Sequence, residues 1–161
     1  MNAIKMLKQQ HRQVEKLFKG FEDAKSAAAR RKAFEEIADA LAVHATIEER
    51  HFYPGVKKEE TEDLLLEAVE EHLEVKRVIA DLLAMKPGDE NFDAKVKVLQ
   101  ENVDHHVEEE ETDLFPKVEK LLDEEALEAI GEAMQETQDE LISEGNPRDA
   151  IPGETDAAAP I

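Results

Sequence analysis

Apolar positions recur at three- and four-residue spacing through most of the chain. Ile4, Leu7, Val14, Leu17, Phe18 and Phe21 form one such stripe, which predicts an amphipathic helix from about residue 2 to 24. Lys25-Ser26 interrupts it, and Ser26 is placed to cap a second helix running to about His51, with Phe34, Ile37 and Leu41 in line. Pro54-Gly55 ends or kinks that helix, because proline lacks an amide donor and crowds the preceding turn. Thr61 is a cap for a third helix over about 62–85, whose stripe is Leu65, Ala68, Val75, Ile79 and Leu82. Pro87-Gly88 breaks the chain again. A fourth helix from about residue 92 carries Phe92, Val96, Leu99, Val103 and Leu114 and ends or bends near Pro116. Residues 117–142 continue as a shorter fifth segment packed on the others, anchored by Leu121, Leu122, Leu127, Ile130, Met134 and Leu141. Residues 143–161 are rich in proline, glycine and small residues, lack periodicity and read as a disordered tail. No segment alternates with period two. The expected class is all-α: an antiparallel up-down-up-down four-helix bundle, with its C-terminal helical extension, over residues 1–142 and a flexible tail after it.

Polar residues interrupt these stripes at matching places. His11, His44, Glu48, His72, His106 and Glu110 all fall in line with the core positions. Two of the interruptions are His-x-x-x-Glu pairs, His44 with Glu48 and His106 with Glu110, and helical geometry stacks such residues on one face about 6 Å apart. Both glutamates precede a proline by six residues, Pro54 and Pro116. The copies are related by an offset of 62, His44 to His106, which also lays Phe34 on Val96, Leu41 on Val103 and Tyr53 on Phe115. An offset of 61 lays His11 on His72 and Phe18 on Ile79. The chain therefore reads as two helical hairpins, each bringing one lone histidine and one His-x-x-x-Glu pair to the centre of a pseudo-two-fold bundle.

A lone core histidine is ordinarily a hydrogen-bonded packing residue. Two buried carboxylates are different, because each costs several kcal/mol, on the order of 3–5, unless a counter-charge is supplied. Most lysines and arginines fall on outer faces, with Lys76 the exception, so a metal cluster is the expected source of that charge. Six ligands, two of them carboxylates able to bridge, fit two metals about 3.5–4 Å apart better than one zinc. Symmetry groups His11 with His44 and His72 with His106 as terminal imidazoles, and assigns Glu48 and Glu110 as bridges.

Composition narrows the chemistry. The chain has no cysteine among its 161 residues, which removes thiolate sites and disulfides and favours iron, manganese or zinc on imidazole and carboxylate. Forty acidic residues against twenty basic ones give a net charge of −20, which argues against nucleic acid and anionic membranes as partners. The N-terminus lacks the apolar core of a signal peptide, and no run is long enough to span a bilayer. A cytoplasmic protein, monomeric or weakly homo-oligomeric, is the expectation.

The set His11, His44-x-x-x-Glu48, His72, His106-x-x-x-Glu110 resembles the hemerythrin-like (HHE cation-binding) domains, over about residues 3–120. That resemblance implies an antiparallel four-helix bundle around two non-heme iron ions with a bridging oxo or hydroxo ligand. It departs from the oxygen-carrying hemerythrins, which have a fifth histidine one turn along the third helix. Here Ala68 and Lys76 occupy the neighbouring turns, and Glu110 stands where those proteins use an aspartate. The four-histidine, two-glutamate set would leave the irons more nearly equivalent, and reversible oxygen transport is not the expected role. The pair Tyr53-Pro54 resembles a bacterial, notably actinobacterial, subgroup associated with peroxide decomposition, in which a tyrosine of this region lies near the irons. The resemblance thus implies reaction with a small oxidant, with hydrogen peroxide first and dioxygen or nitric oxide binding, sensing or iron storage without turnover as the alternative.

Tyr53, the only tyrosine, lies five residues beyond Glu48, so it is either a packing anchor or a phenol near the metals. His105 is rotated about 100° from the stripe that contains His106 and reads as exposed or as an outer contact. His51 is either an end-of-bundle polar contact or a proton relay. Glu49, Glu108, Glu109 and Glu111 read as a solvated face, with Glu49 and Glu111 able to hydrogen-bond a ligand imidazole.

Overall fold

Asn2 and Ser26 start the first two helices by accepting the backbone N–H of the residue three ahead, Lys5 at 3.1 Å and Ala29 at 3.0 Å. The helices they cap are α1 (Ala3–Asp23) and α2 (Ala27–Ile47). The computed structural model describes residues 1–86 and 88–161, and among these it is helical with no strand. The chain continues through α3 (Tyr53–Val56), α4 (Glu62–Ala84), α5 (Phe92–Glu109), α6 (Phe115–Leu121) and α7 (Glu124–Ser143). Thr61 stands at the start of α4 without capping it. Its hydroxyl donates to the Val56 carbonyl and accepts the Lys58 N–H, so it pins the turn instead. Of the expected break at Pro87-Gly88, Pro87 lies outside the described residues and Gly88 sits in a turn.

Neither Pro54 nor Pro116 ends its helix. Ahead of each, the backbone widens into one π-turn, Glu48–Phe52 and Glu110–Leu114, closed by Tyr53 N–H to Glu48 O and Phe115 N–H to Glu110 O. A proline cannot donate to the preceding turn and crowds its carbonyl, and the wider i→i+5 turn makes room for the ring. The helical path then resumes as α3 and α6, each with its proline in the first turn, where a missing N–H costs nothing.

The two hairpins, α1 with α2 and α4 with α5, enclose a core that falls into two apolar clusters. One holds Leu7, Ile47, Phe52, Val56, Leu65, Leu114 and Phe115; the other holds Val14, Phe18, Phe34, Leu41, Ile79, Val96 and Val103. His11, His44, His72 and His106 each sit, in sequence, between members of the two clusters. The polar residues therefore form a buried layer across the middle of an otherwise apolar bundle.

The C-terminal part departs from expectation. The fifth segment is not short: Leu122 leaves helical geometry and α7 is a separate 20-residue helix, capped by Asp123 and docked on α1, α2 and the first π-turn. Gly131 makes this docking close, since a Cβ there would lie 2.0 Å from the Met1 carbonyl oxygen. The expected disordered tail instead contains a 3-10 helix, Pro147–Glu154, that lies on α2 and α4. Ile151 inserts into the second apolar cluster, Arg148 pairs with Asp39 at 2.8 Å and Glu35 at 2.9 Å, and Glu154 meets Lys76 at 3.0 Å. A single apolar anchor plus ion pairs leaves no periodic signature, so composition alone misreads such a segment. These flanking pieces also explain why α2 buries Phe34, Ile37, Ala38, Leu41, Ala42 and Val43: it has neighbours on more than one side.

Candidate metal centre

α1 presents His11, α2 His44, α4 His72 and α5 His106, while Glu48 and Glu110 open the two π-turns. All six side chains are buried. The imidazoles fall into two pairs, with ring centroids 4.9 Å apart for His11 and His44 and 4.7 Å apart for His72 and His106. Each carboxylate reaches both pairs. Glu48 Oε1 lies 3.1 Å from His44 Nε2 and 3.2 Å from His72 Nε2, and Glu110 Oε1 lies 3.3 Å from both His11 Nε2 and His106 Nε2. The fold thus brings the six expected residues together, with the imidazoles in two pairs and each glutamate near a histidine of both. Among the described residues three groups have ligand atoms close enough to share one ion: His11, His44 and Glu110; Glu48, His72 and His106; and, away from the buried layer, Glu71, exposed His105 and Glu109.

Several of these close approaches lack the alignment of a hydrogen bond. His11 Nε2, His44 Nε2, both Glu48 oxygens and Glu110 Oε1 are buried and have no hydrogen-bond partner among the described residues. Buried polar atoms are nearly always satisfied, and leaving one bare costs about 1–3 kcal/mol, more when it is charged. Ring nitrogens and carboxylate oxygens converging without partners are a donor set suited to cations, so the residues present fit a resident metal.

Electrostatics point the same way. Burial opposes protonation of His106, but the facing carboxylates, Glu110 first, reverse this and hold its pKa well above the ordinary 6.5. His11 and His72 are likewise raised, against burial, by Glu110 and by Glu48 respectively. Burial would raise Glu48, yet His44, His106 and His72 hold it well below the ordinary carboxylate range. The raised values at His11, His72 and His106 and the lowered one at Glu48 have one cause, the closeness of opposite charges in a buried layer.

Around this layer, each imidazole turns its Nδ1 outward to a polar partner. His11 meets Glu111 at 2.6 Å, His72 meets Glu49 at 2.7 Å, His106 meets Glu71 at 2.8 Å, and His44 meets the Gln10 carbonyl oxygen at 2.7 Å. An acceptor at Nδ1 leaves Nε2 free to face inward, which is how proteins orient histidine ligands. Glu49 and Glu111 were legible as outer contacts from their places beside Glu48 and Glu110. Gln10 and Glu71 were not, although each directly precedes a site histidine and they match at the offset of 61. Lys76 Nζ pairs with Glu49 at 2.9 Å, which accounts for its burial.

Tyr53 is fully buried and its hydroxyl donates to Glu110 Oε2 at 2.8 Å, with His72 Nε2 at 3.2 Å. Five residues of regular helix would turn it about 140° from Glu48, and the π-turn largely closes that angle. Burial first, then the charges of Glu110 and Glu48, push its pKa well above 10, so the phenol keeps its proton. His105 is exposed and lies near Glu71 and Glu109, and His51 bonds Thr137 of α7 at 2.7 Å, an end-of-bundle contact. Beside the four imidazoles is a cavity of about 40 Å³, lined otherwise by Lys76 and by apolar side chains that include Val14, Leu41, Ile79, Val103 and Ile151. No helix among the described residues is long and apolar enough to cross a membrane.

The family model described as the Hemerythrin HHE cation binding domain matches residues 2–118. A DNA nickase from Nostoc sp. (strain PCC 7120) is 29% identical over 118 residues, 73% of this chain and 34% of the nickase, so the chain spans about a third of that relative. The crystal structure of a Hemerythrin HHE cation binding domain-containing protein from Mycobacterium kansasii, a homolog of Rv2633c, has the same fold. It superposes with a TM-score of 0.79 at 22% identity, over 95% of this chain and 98% of that one. With the match spanning α1 to α6 and a His/Glu set that could hold metal at its centre, the chain belongs to the Hemerythrin HHE cation binding domain family.

Proposed function

We propose that the chain is a di-iron protein that decomposes hydrogen peroxide. The observation that carries this reading is the convergence of six buried His and Glu side chains, of which His11, His44, Glu48 and Glu110 have inward atoms left without hydrogen-bond partners among the described residues. His11 and His44 would hold one iron, His72 and His106 the other, and Glu48 and Glu110 would face both. Two adjacent irons supply a two-electron couple, which matches the conversion of two peroxides into one dioxygen and two waters. The chain's own contribution is a dry, preorganised site. Apart from the imidazoles and Lys76 the walls of the cavity are apolar, which disfavours water while leaving space for a ligand of a few atoms. Tyr53 holds a proton at its hydroxyl, directed at Glu110 Oε2 and within 3.2 Å of His72 Nε2, where a small oxygen ligand could accept it.

The apolar character of that cavity favours a second reading, in which dioxygen or nitric oxide binds without turnover. The nicking activity named for the Nostoc protein does not transfer. A net charge of −20 opposes a phosphate backbone, and the shared region is a minor part of that relative.

Two measurements test the proposal. Purified protein should carry about two irons per chain, the number a paired-metal site takes, and Glu48→Ala or Glu110→Ala should abolish loading. Unchanged iron content in both variants removes the site assignment. Peroxide added to the iron-loaded protein should evolve oxygen over many turnovers. A stable spectrum on exposing the reduced protein to air, with no oxygen evolved from peroxide, selects the binding role instead.

A further inference from the structure

The two halves of the centre are not chemically alike. Three of the four outward Nδ1 contacts end on a carboxylate, and the repeat accounts for two of them: Glu49 and Glu111 correspond at the offset of 62. The fourth ends on Gln10, where the other hairpin has Glu71. Gln10 is also tied outside the bundle, since its amide Nε2 donates to Gln138 Oε1 of α7 at 2.6 Å, which leaves its oxygen facing His44. A carboxylate accepting from Nδ1–H makes the opposite ring nitrogen a stronger donor, whereas a neutral amide orients the ring without that gain. The second departure from two-fold symmetry separates the same two halves. Tyr53 brings a hydroxyl to His72, while its repeat counterpart Phe115 stacks an apolar ring on His11, with centroids 5.9 Å apart and planes within 6°.

From these contacts we infer that Gln10, held by Gln138, makes His44 the weakest of the four imidazole ligands and the two metal positions unequal, so that metal fills the His72/His106 half before the His11/His44 half. This rests on the metal-centre reading and departs from the expectation that a four-histidine, two-glutamate set leaves the irons more nearly equivalent than in the oxygen carriers. Gln10 and Glu71 act here as positioning residues, each through the histidine it contacts.

The test is a calorimetric titration of the metal-free full chain with ferrous iron in the absence of oxygen. The wild type should load in two steps of different affinity. Gln10→Glu should raise the weaker affinity about 10- to 100-fold and close the gap, with Gln138 turning its amide to donate to the new carboxylate. Glu71→Gln is the converse and should lower the tighter affinity by a similar factor, which keeps the inference testable if the first variant fails to fold. A merely structural role for Gln10 would change the unfolding temperature and not the gap. Two equal affinities in the wild type, or a gap that neither substitution alters, overturn this inference and leave the metal centre standing. No iron binding at all overturns the metal-centre reading and this inference with it.

Discussion

Tyr53 and Phe115 occupy equivalent places after the two π-turns, and only one carries a hydroxyl. Phenylalanine therefore fits this backbone position, which makes Tyr53→Phe a clean deletion of one donor. Glu110 Oε2 would lose the partner it has at 2.8 Å, at a cost of about 1–3 kcal/mol in the metal-free protein. Iron content should stay at the wild-type level. If the phenol supplies a proton to bound peroxide, oxygen evolution should fall by about 100-fold or more, the usual worth of a positioned proton donor. Undiminished oxygen evolution by a fully loaded variant would reduce Tyr53 to a packing residue.

The π-turns matter because they rotate the residues just beyond them. Without the extra residue per turn, Tyr53 and Phe115 would face away from the glutamates that precede them by five. The other element with a functional consequence is α7, which contacts the site through Gln138 and Gln10 and buttresses His51 through Thr137. Its docking depends on Gly131. In an ordinary exposed helix, glycine to alanine stabilises by about 0.5–1 kcal/mol. Here the added Cβ meets backbone at Met1 and Ala3, so Gly131→Ala should instead destabilise by about 1–3 kcal/mol, as overpacking does. Thermal unfolding checks the sign: a higher Tm would mean that the N-terminus moves aside without loss.

For the molecule as a whole, the buried layer couples stability to pH. His11, His72 and His106 have folded-state pKa values above 6.5, so their contribution is complete below that value and is lost as pH rises through the raised ones. Glu48, Glu49 and Glu110 are lowered, so theirs is present above 4.5 and is lost as pH falls through the depressed values. The metal-free protein should therefore be most stable between these limits, with a higher Tm at about pH 6 than at about pH 9. Metal replaces the protons, so its affinity should run the opposite way and weaken on acidification. A metal-free Tm that rises steadily with pH would show that protonated imidazoles are not what balances the buried carboxylates.

Much of this was legible in one dimension. Helical periodicity and the 61- and 62-residue offsets depend only on spacing along the chain, and they located the bundle, its duplication and the residues that meet at its centre. The resemblance of His11, His44, Glu48, His72, His106 and Glu110 to a known family rested on the same spacing. Three things were not legible there. The π-turns arise from the conflict between a proline and the helix before it, and the resolution of that conflict depends on what surrounds the backbone. The ordered segment around Ile151 is held by one apolar side chain and ion pairs to α2 and α4, contacts that leave no period. The partners Gln10 and Glu71 lie on helices other than those of the histidines they touch, so only the packing of the hairpins brings them together. Spacing along a helix determines which residues share a face, and packing between helices determines what that face meets.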